Sequence, residues 1–255
     1  MNGQDFVVLF GINLYLCGMK RVLTVIIVVI GICASCTKPK CTPSTSCIVS
    51  EICDTIKGIS VSCLHDNVLE FKPDSVRAGI IFYPGAFIDC WCYASLAASL
   101  AQKGILCILP KPLCNVALLN KNIAVKLKAE HPDITEWYMG GHSFGGSIAA
   151  MCLGSNLEEF QGLVMIASYA LNDISASGKK VIIIYGTEDS ILDRHKYNEC
   201  LENLPPDYLE FIIEGGNHSY FGEYGDQDGD GRATITRAQQ RDRAAEAIFN
   251  AISNQ

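Results

Sequence analysis

From about residue 58 the apolar residues fall into short, β-branched runs, separated by segments where they recur at helical spacing. "RAGIIFYPG" (77–85) reads as a buried strand ending in a Pro-Gly turn. "CWCYASLAASLAQKG" (90–104) has helical spacing and a glycine stop. A second strand follows over 105–112, then an amphipathic helix over 115–132 that Pro132 ends. Strands are predicted at 136–141, 161–169, 179–189 and 207–218. Helices are predicted at 145–154, 193–204 and 236–252. Strands alternating with helices of this length imply an α/β fold, a mainly parallel sheet with helices on both faces. Ligands of such sheets bind beyond the carboxyl ends of the strands.

The N-terminal pattern is different. Met19 to Cys36, "MKRVLTVIIVVIGICASC", has two basic residues, an apolar run and then small residues before a cysteine. That is the layout of an export signal, and its apolar run is short for a bilayer span. Residues 1–18 carry Asp5 and no early basic residue, so Met19 reads as the start; one longer, uncleaved anchor is the alternative. The segment's end resembles a bacterial lipobox, with Cys33 where the motif usually has Leu. The resemblance implies an exported cell-envelope protein held at a membrane by lipid on Cys36. Residues 36–57 begin "CTKPKCTPSTS" and read as a flexible tether, leaving 58–255 as the folded domain.

Composition narrows the function classes. The chain has 255 residues, 49% hydrophobic and 18% charged, enough for one sizeable domain with a buried core. A net charge of −7 and the lack of a basic stripe argue against general nucleic-acid binding. Of 13 cysteines, Cys107 and Cys152 lie in apolar runs and read as buried hydrophobes. Cys41, Cys47, Cys53 and Cys63 crowd a polar stretch and can pair in an oxidising compartment. No zinc-finger spacing appears, and no metal or cofactor is expected. "DQDGDG" opens like a calcium loop, with Asp226, Asp228, Asp230 and Gly231, but Arg237 stands where a Glu should be. It reads as an acidic turn before the last helix.

The candidate chemistry lies in "YMGGHSFGGSIAAM" (138–151). Ser143, flanked by Gly141 and Gly145, falls between a predicted strand and a predicted helix, the context that makes G-x-S-x-G informative. A serine hydroxyl needs a base. Of five histidines, His218 alone follows a strand, in a loop, after the serine. His65, His131, His142 and His195 fit less well, and His142 is expected to point elsewhere. The third member should orient the imidazole from a strand end between serine and histidine. "IIIYGTEDS" offers Asp189, with Glu188 as runner-up and Asp193 as a helix cap.

Chain order Ser, Asp, His within this alternation resembles the α/β-hydrolase fold. "FYPGAFIDCWCYASLAASLA", "WYMGGHSFGGSIAA", "YGTEDSI" and "GGNHSYFGEYGDQDGDGRATITRAQQ" are similar to a small lidless group, the fifth α/β-hydrolase family, over roughly 58–255. The resemblance implies an oxyanion hole from the backbone N–H groups of Ala86 and Phe144. The related dienelactone hydrolases use a cysteine nucleophile, whereas this chain has Ser143. The expected activity is hydrolysis of a small-molecule ester or similar acyl bond through an acyl-enzyme. The rivals are acyl transfer to an alcohol and an idle surface lipoprotein that uses the scaffold for binding. Only residues 170–178 separate two predicted strands where many α/β-hydrolases insert a lid. The site should therefore be open, walled by loops near Phe87, Cys90, Trp91, Phe144 and Tyr220, with Phe87, Trp91 and Tyr220 as substrate contacts.

Overall fold

The chain is described by a computed structural model covering residues 56–64, 68–111 and 123–253. The signal, Cys36, the tether up to residue 55 and His65 lie outside the described residues, as do Cys41, Cys47, Cys53 and residues 112–122. All described residues belong to one compact unit, 39–255. None of their helices is long and apolar enough to cross a membrane.

The sheet has eight strands: β1 (Ile59–Leu64), β2 (Val68–Pro73), β3 (Ala78–Tyr83), β4 (Ile105–Pro110), β5 (Trp137–His142), β6 (Gly162–Ile166), β7 (Lys180–Gly186) and β8 (Leu209–Ile213). Their order is β1-β2-β4-β3-β5-β6-β7-β8. β1 and β2 form an antiparallel pair, β2 meets β4 antiparallel, and every other pairing is parallel. β3, β4, β5 and β6 are buried at every position, which is why their sequences are nearly continuous apolar runs.

Alternation still decides which face each residue joins. Ile80 and Phe82 pack with α1 (Ala94–Ala101) and α5 (Arg237–Ser253). Ile81 and Tyr83 pack on the other face with α2 (Ile123–Ala129), α3 (Phe144–Ser155) and α4 (Arg194–Cys200). The period of two along a strand sends neighbours to opposite layers. β3 lies between β4 and β5, so the winding direction reverses there. The crevice of an open α/β sheet forms at such a switch point, and here the switch lies between β4 and β5, whose carboxyl-end residue is His142.

Some expected boundaries differ. The segment 90–104 is a single turn of 3-10 helix, Cys90–Tyr93, followed by α1. Asp89 caps the start of that turn by accepting a hydrogen bond from the Trp91 amide (3.3 Å), and the break before α1 falls at Tyr93, whose φ −102° and ψ 7° leave the helical region. Cys90 is buried rather than part of a site wall. The predicted helix at 193–204 stops at Cys200, and β6 stops at Ile166 because Ala167 turns to φ +48°. The β1–β2 pair was not among the predicted strands.

Between β6 and β7 the described chain has no helix. Instead, Asn203 Nδ2 donates to the Ala170 carbonyl (2.9 Å) and Asn172 Nδ2 to that of Ala150 (3.2 Å), tying the segment down. The expected absence of a helical lid at this position holds.

Cys107 and Cys152 are buried, as read from their apolar surroundings. Cys63 carries a free thiol, so it takes no part in the pairing envisaged for its stretch. Cys92 is disulfide-bonded. The other described cysteines are free.

Candidate active site

Ser143 joins β5 to α3 with φ +53° and ψ −128°. A non-glycine residue there carries strain of about 1–3 kcal/mol, and such strain persists only where the surroundings impose it. The surroundings are close backbone contacts. A Cβ on Gly145 would collide with the carbonyls of Tyr83 and Pro84. One on Gly141 would strike Gly145, and one on Gly146 would lie 2.6 Å from Ser168 Cβ. The turn is therefore pressed between the β3 loop and the end of β6. The Ser143 amide donates to the Ile166 carbonyl (2.8 Å), which anchors it from the other side. The serine side chain is left half-buried at the top of the sheet.

His218 and Asp189 come together beside it. His218 follows β8 and Asp189 follows β7. His218 Nδ1 lies 2.9 Å from Asp189 Oδ2, with both side chains almost fully buried. Asp189 Oδ1 accepts from the amides of Ile191 (3.0 Å) and Leu192 (2.9 Å). Burial alone would raise the Asp189 pKa. The hydrogen bond from His218, its charge and the two amides outweigh burial and hold the carboxyl below the usual carboxylate range. A buried carboxylate on Nδ1 leaves Nε2 to exchange a proton with a substrate or nucleophile. No hydrogen bond joins Ser143 Oγ to His218 among the described residues. Glu188 instead accepts from its neighbour Thr187 at the surface, and Asp193 caps α4 through the Lys196 amide (3.0 Å), as expected of it.

The loop bearing His218 is tied at several points. Asp230 accepts from the amides of His218 (3.2 Å), Ser219 (2.8 Å) and Gly231 (2.9 Å). Gln240, buried in α5, brackets Asn217 by accepting from its amide (3.0 Å) and donating to its carbonyl (2.7 Å). Arg237 donates to the carbonyls of Ser219 and Gly222 and pairs with Asp226 (2.9 Å). The acidic turn is thus a brace for the histidine loop. No cluster among the described residues could hold a metal.

Beneath the site lies His142, which is fully buried. Its Nδ1 is 2.8 Å from the Tyr93 hydroxyl and its Nε2 is 3.1 Å from the His218 carbonyl. Burial, then the nearby His218, push its pKa well below the ordinary histidine value. Sequence reasoning dismissed His142 as a base and missed this placement, because Tyr93 sits 49 residues earlier in the chain. The remaining described histidines lie elsewhere. His131 faces Glu70 (2.9 Å), and His195 is 84% exposed.

The expected oxyanion donors border the turn. The Phe144 amide opens α3, where a helix has no carbonyl to accept it. Ala86 and Phe87 form the tip of a turn closed by the Ile88 amide on the Gly85 carbonyl (3.2 Å). Phe87 has φ +61° at a turn position that favours glycine, and its side chain is 38% exposed. Trp91 is half-buried against the core. Tyr220 is half-buried, with the Arg237 guanidinium 4.0 Å from its ring centroid, so one ring face is already occupied.

The sequence matches the alpha/beta hydrolase family over residues 79–242, and the chain belongs to that family. Similar solved structures include a dienelactone hydrolase from Anabaena variabilis, 17% identical, covering 75% of this chain and 96% of its own, with a TM-score of 0.52. Est1E from Butyrivibrio proteoclasticus, with ferulic acid bound, is 12% identical, covers 78% and 98%, and has a TM-score of 0.56. An alpha/beta hydrolase enzyme from a Mar Chica lagoon-sediment metagenome is 18% identical, covers 64% and 91%, and has a TM-score of 0.50. At these identities the likeness concerns the fold. The comparison with curated proteins gave no match.

His142 makes stability depend on pH. Its folded pKa lies below the unfolded value near 6.5, so the unfolded chain binds the extra proton as pH falls through that value. Stability should decline below pH 6.5 by on the order of 1 kcal/mol per pH unit from this group. Urea unfolding of the wild type and His142→Gln between about pH 7.5 and 5 checks this, since the variant should show a flatter slope. Equal slopes would mean that His142 titrates normally in the folded protein.

Proposed function

We propose that the protein is a serine hydrolase that cleaves a carboxylic ester or related acyl bond through an acyl-enzyme. The observation that carries this reading is the buried His218–Asp189 hydrogen bond beside a serine at positive φ. Ser143 Oγ attacks the acyl carbon while His218 Nε2 takes its proton, and Asp189 stabilises the imidazolium. The N–H groups of Ala86 and Phe144 receive the negative charge on the carbonyl oxygen. Each such donor is worth on the order of 3 kcal/mol in the transition state. His218 then protonates the leaving alcohol, and water, deprotonated by the same nitrogen, releases the acid.

The missing helical cap between β6 and β7 supports a site open to water. An open site buries only part of a long acyl chain, so each added methylene contributes less than the roughly 0.8 kcal/mol of full burial. Phe87, Trp91 and Tyr220 would then contact a short acyl group of about two to four carbons, at most a few methylenes to bury. Kinetics on p-nitrophenyl esters of graded length test both parts. The wild type should show higher kcat/KM on butyrate than on palmitate and no jump in rate above the micelle concentration. On the best ester, Ser143→Ala and His218→Ala should each lower kcat by about 10⁶-fold, and Asp189→Asn by about 10⁴-fold. Wild-type turnover in Ser143→Ala would remove the mechanism, and a palmitate preference would remove the open-site reading.

We also propose that the chain is exported and held at a membrane by lipid on Cys36. The signal-like pattern from Met19 to Cys36 supports this, as does the Cys92 disulfide, because such bonds persist in oxidising compartments. Palmitate fed to expressing bacteria should label the wild type and leave Cys36→Ser unlabelled. Label retained in the variant, or a mature N-terminus upstream of Cys36, would refute the anchor.

A further inference from the structure

Three segments must keep their relative positions for the proposed chemistry: the β3 loop with Ala86, the turn with Ser143 and the loop with His218. A chain of hydrogen bonds runs through all three at the next residue inward. The Gly85 amide donates to the Tyr93 hydroxyl (3.1 Å), Tyr93 meets His142 Nδ1 (2.8 Å), and His142 Nε2 meets the His218 carbonyl (3.1 Å). Gly85 directly precedes Ala86, His142 directly precedes Ser143, and the last acceptor is the backbone of His218 itself.

The direction of every bond in this chain is determined. The Gly85 amide can only donate to Tyr93 Oη and the His218 carbonyl can only accept, so Nε2 of the neutral ring is the donor and Nδ1 receives the phenol hydrogen. Nδ1 must then be unprotonated, and Nε2 carries the hydrogen that the His218 carbonyl accepts. Reversing the tautomer would strand the phenol hydrogen and leave the His218 carbonyl facing a lone pair. The chain of bonds is shielded from bulk solvent. Tyr93 and His142 are fully buried, and Phe221 and Tyr224 close around the imidazole at ring-centroid distances of 5.8 and 6.3 Å. Gly85 is part of the fit, because a Cβ there would lie 3.1 Å from Tyr93 Oη and 3.3 Å from His142 Nδ1. The rings of His142 and His218 are 4.6 Å apart, so a shift of one is felt by the other.

We infer that Tyr93 and His142 form a positioning relay that holds the oxyanion loop and the His218 loop in register about Ser143. This rests on the hydrolase reading above. Neither residue touches substrate. Their effect is on geometry, where a misplacement of about 1 Å at a reacting group can cost on the order of 100-fold in rate.

The relay is tested by kcat and KM on p-nitrophenyl butyrate for Tyr93→Phe, His142→Gln and His142→Leu, together with long-range ¹H–¹⁵N NMR of the histidine rings. Tyr93→Phe should lower kcat about 10- to 100-fold and leave KM within about threefold. A glutamine side-chain amide can accept from Tyr93 and donate to the His218 carbonyl, so His142→Gln should keep most of the wild-type kcat. His142→Leu should lose it while remaining folded by circular dichroism. If His142→Leu unfolds the chain, the contrast between Tyr93→Phe and His142→Gln still decides. The NMR spectrum should show His142 neutral with its proton on Nε2. Wild-type kcat in Tyr93→Phe, or a charged or Nδ1-protonated His142, would overturn the relay. A wild type inert on every ester would count against the hydrolase reading alone, and the imidazole spectrum would still uphold or overturn the relay.

Discussion

The arrangement depends on one constraint, the left-handed backbone at Ser143. A residue other than glycine adopts φ +53° at a cost, so the flanking structure must enforce it. Enforcement comes from contact too close for side chains. Gly145 meets the Tyr83 and Pro84 carbonyls, Gly141 meets Gly145, and Gly146 meets Ser168. These contacts need β3, β5 and β6 to be adjacent and parallel, with their carboxyl ends level. The sheet order, the glycines and the serine conformation are therefore parts of one requirement.

The base is held by a different device. Its loop is long and irregular, so backbone groups near His218 need side-chain partners. Asp230 satisfies two successive amides, Gln240 satisfies both polar groups of Asn217, and Arg237 takes two carbonyls. Arg237 and Gln240 both project from α5, which packs across the sheet against α1. The position of His218 is thereby coupled to the body of the domain. Asp189 needs less support, because a tight turn gives it two amides within three residues.

Periodicity revealed the central strands because burial on both faces makes them continuous apolar runs. The edge pair β1–β2 was less legible, since β1 alternates half-buried and exposed positions. Local geometry decided other boundaries, as when the predicted helix over 90–104 opens as one 3-10 turn capped by Asp89 and becomes α-helical only after Tyr93. Ser143, Asp189 and His218 could be singled out because each follows a strand and has the residue type that its role requires. Their supports could not. Asp230 read as part of a metal-like motif, and only the fold reveals that its oxygens face backbone amides. His142 was read as pointing away from the chemistry, and its connection through Tyr93 exists only once the Cys90–Tyr93 turn and β5 are packed together.

The central claim is that Ser143 is a nucleophile activated by the buried His218–Asp189 pair. Treatment with a fluorophosphonate ester, followed by intact-mass and peptide analysis, tests it without knowledge of the natural substrate. Labelling should add a single phosphonyl group, mapped to Ser143, and should be lost in His218→Ala, whose serine is intact. Absence of labelling in the folded wild type, or a label on another residue, would contradict the account.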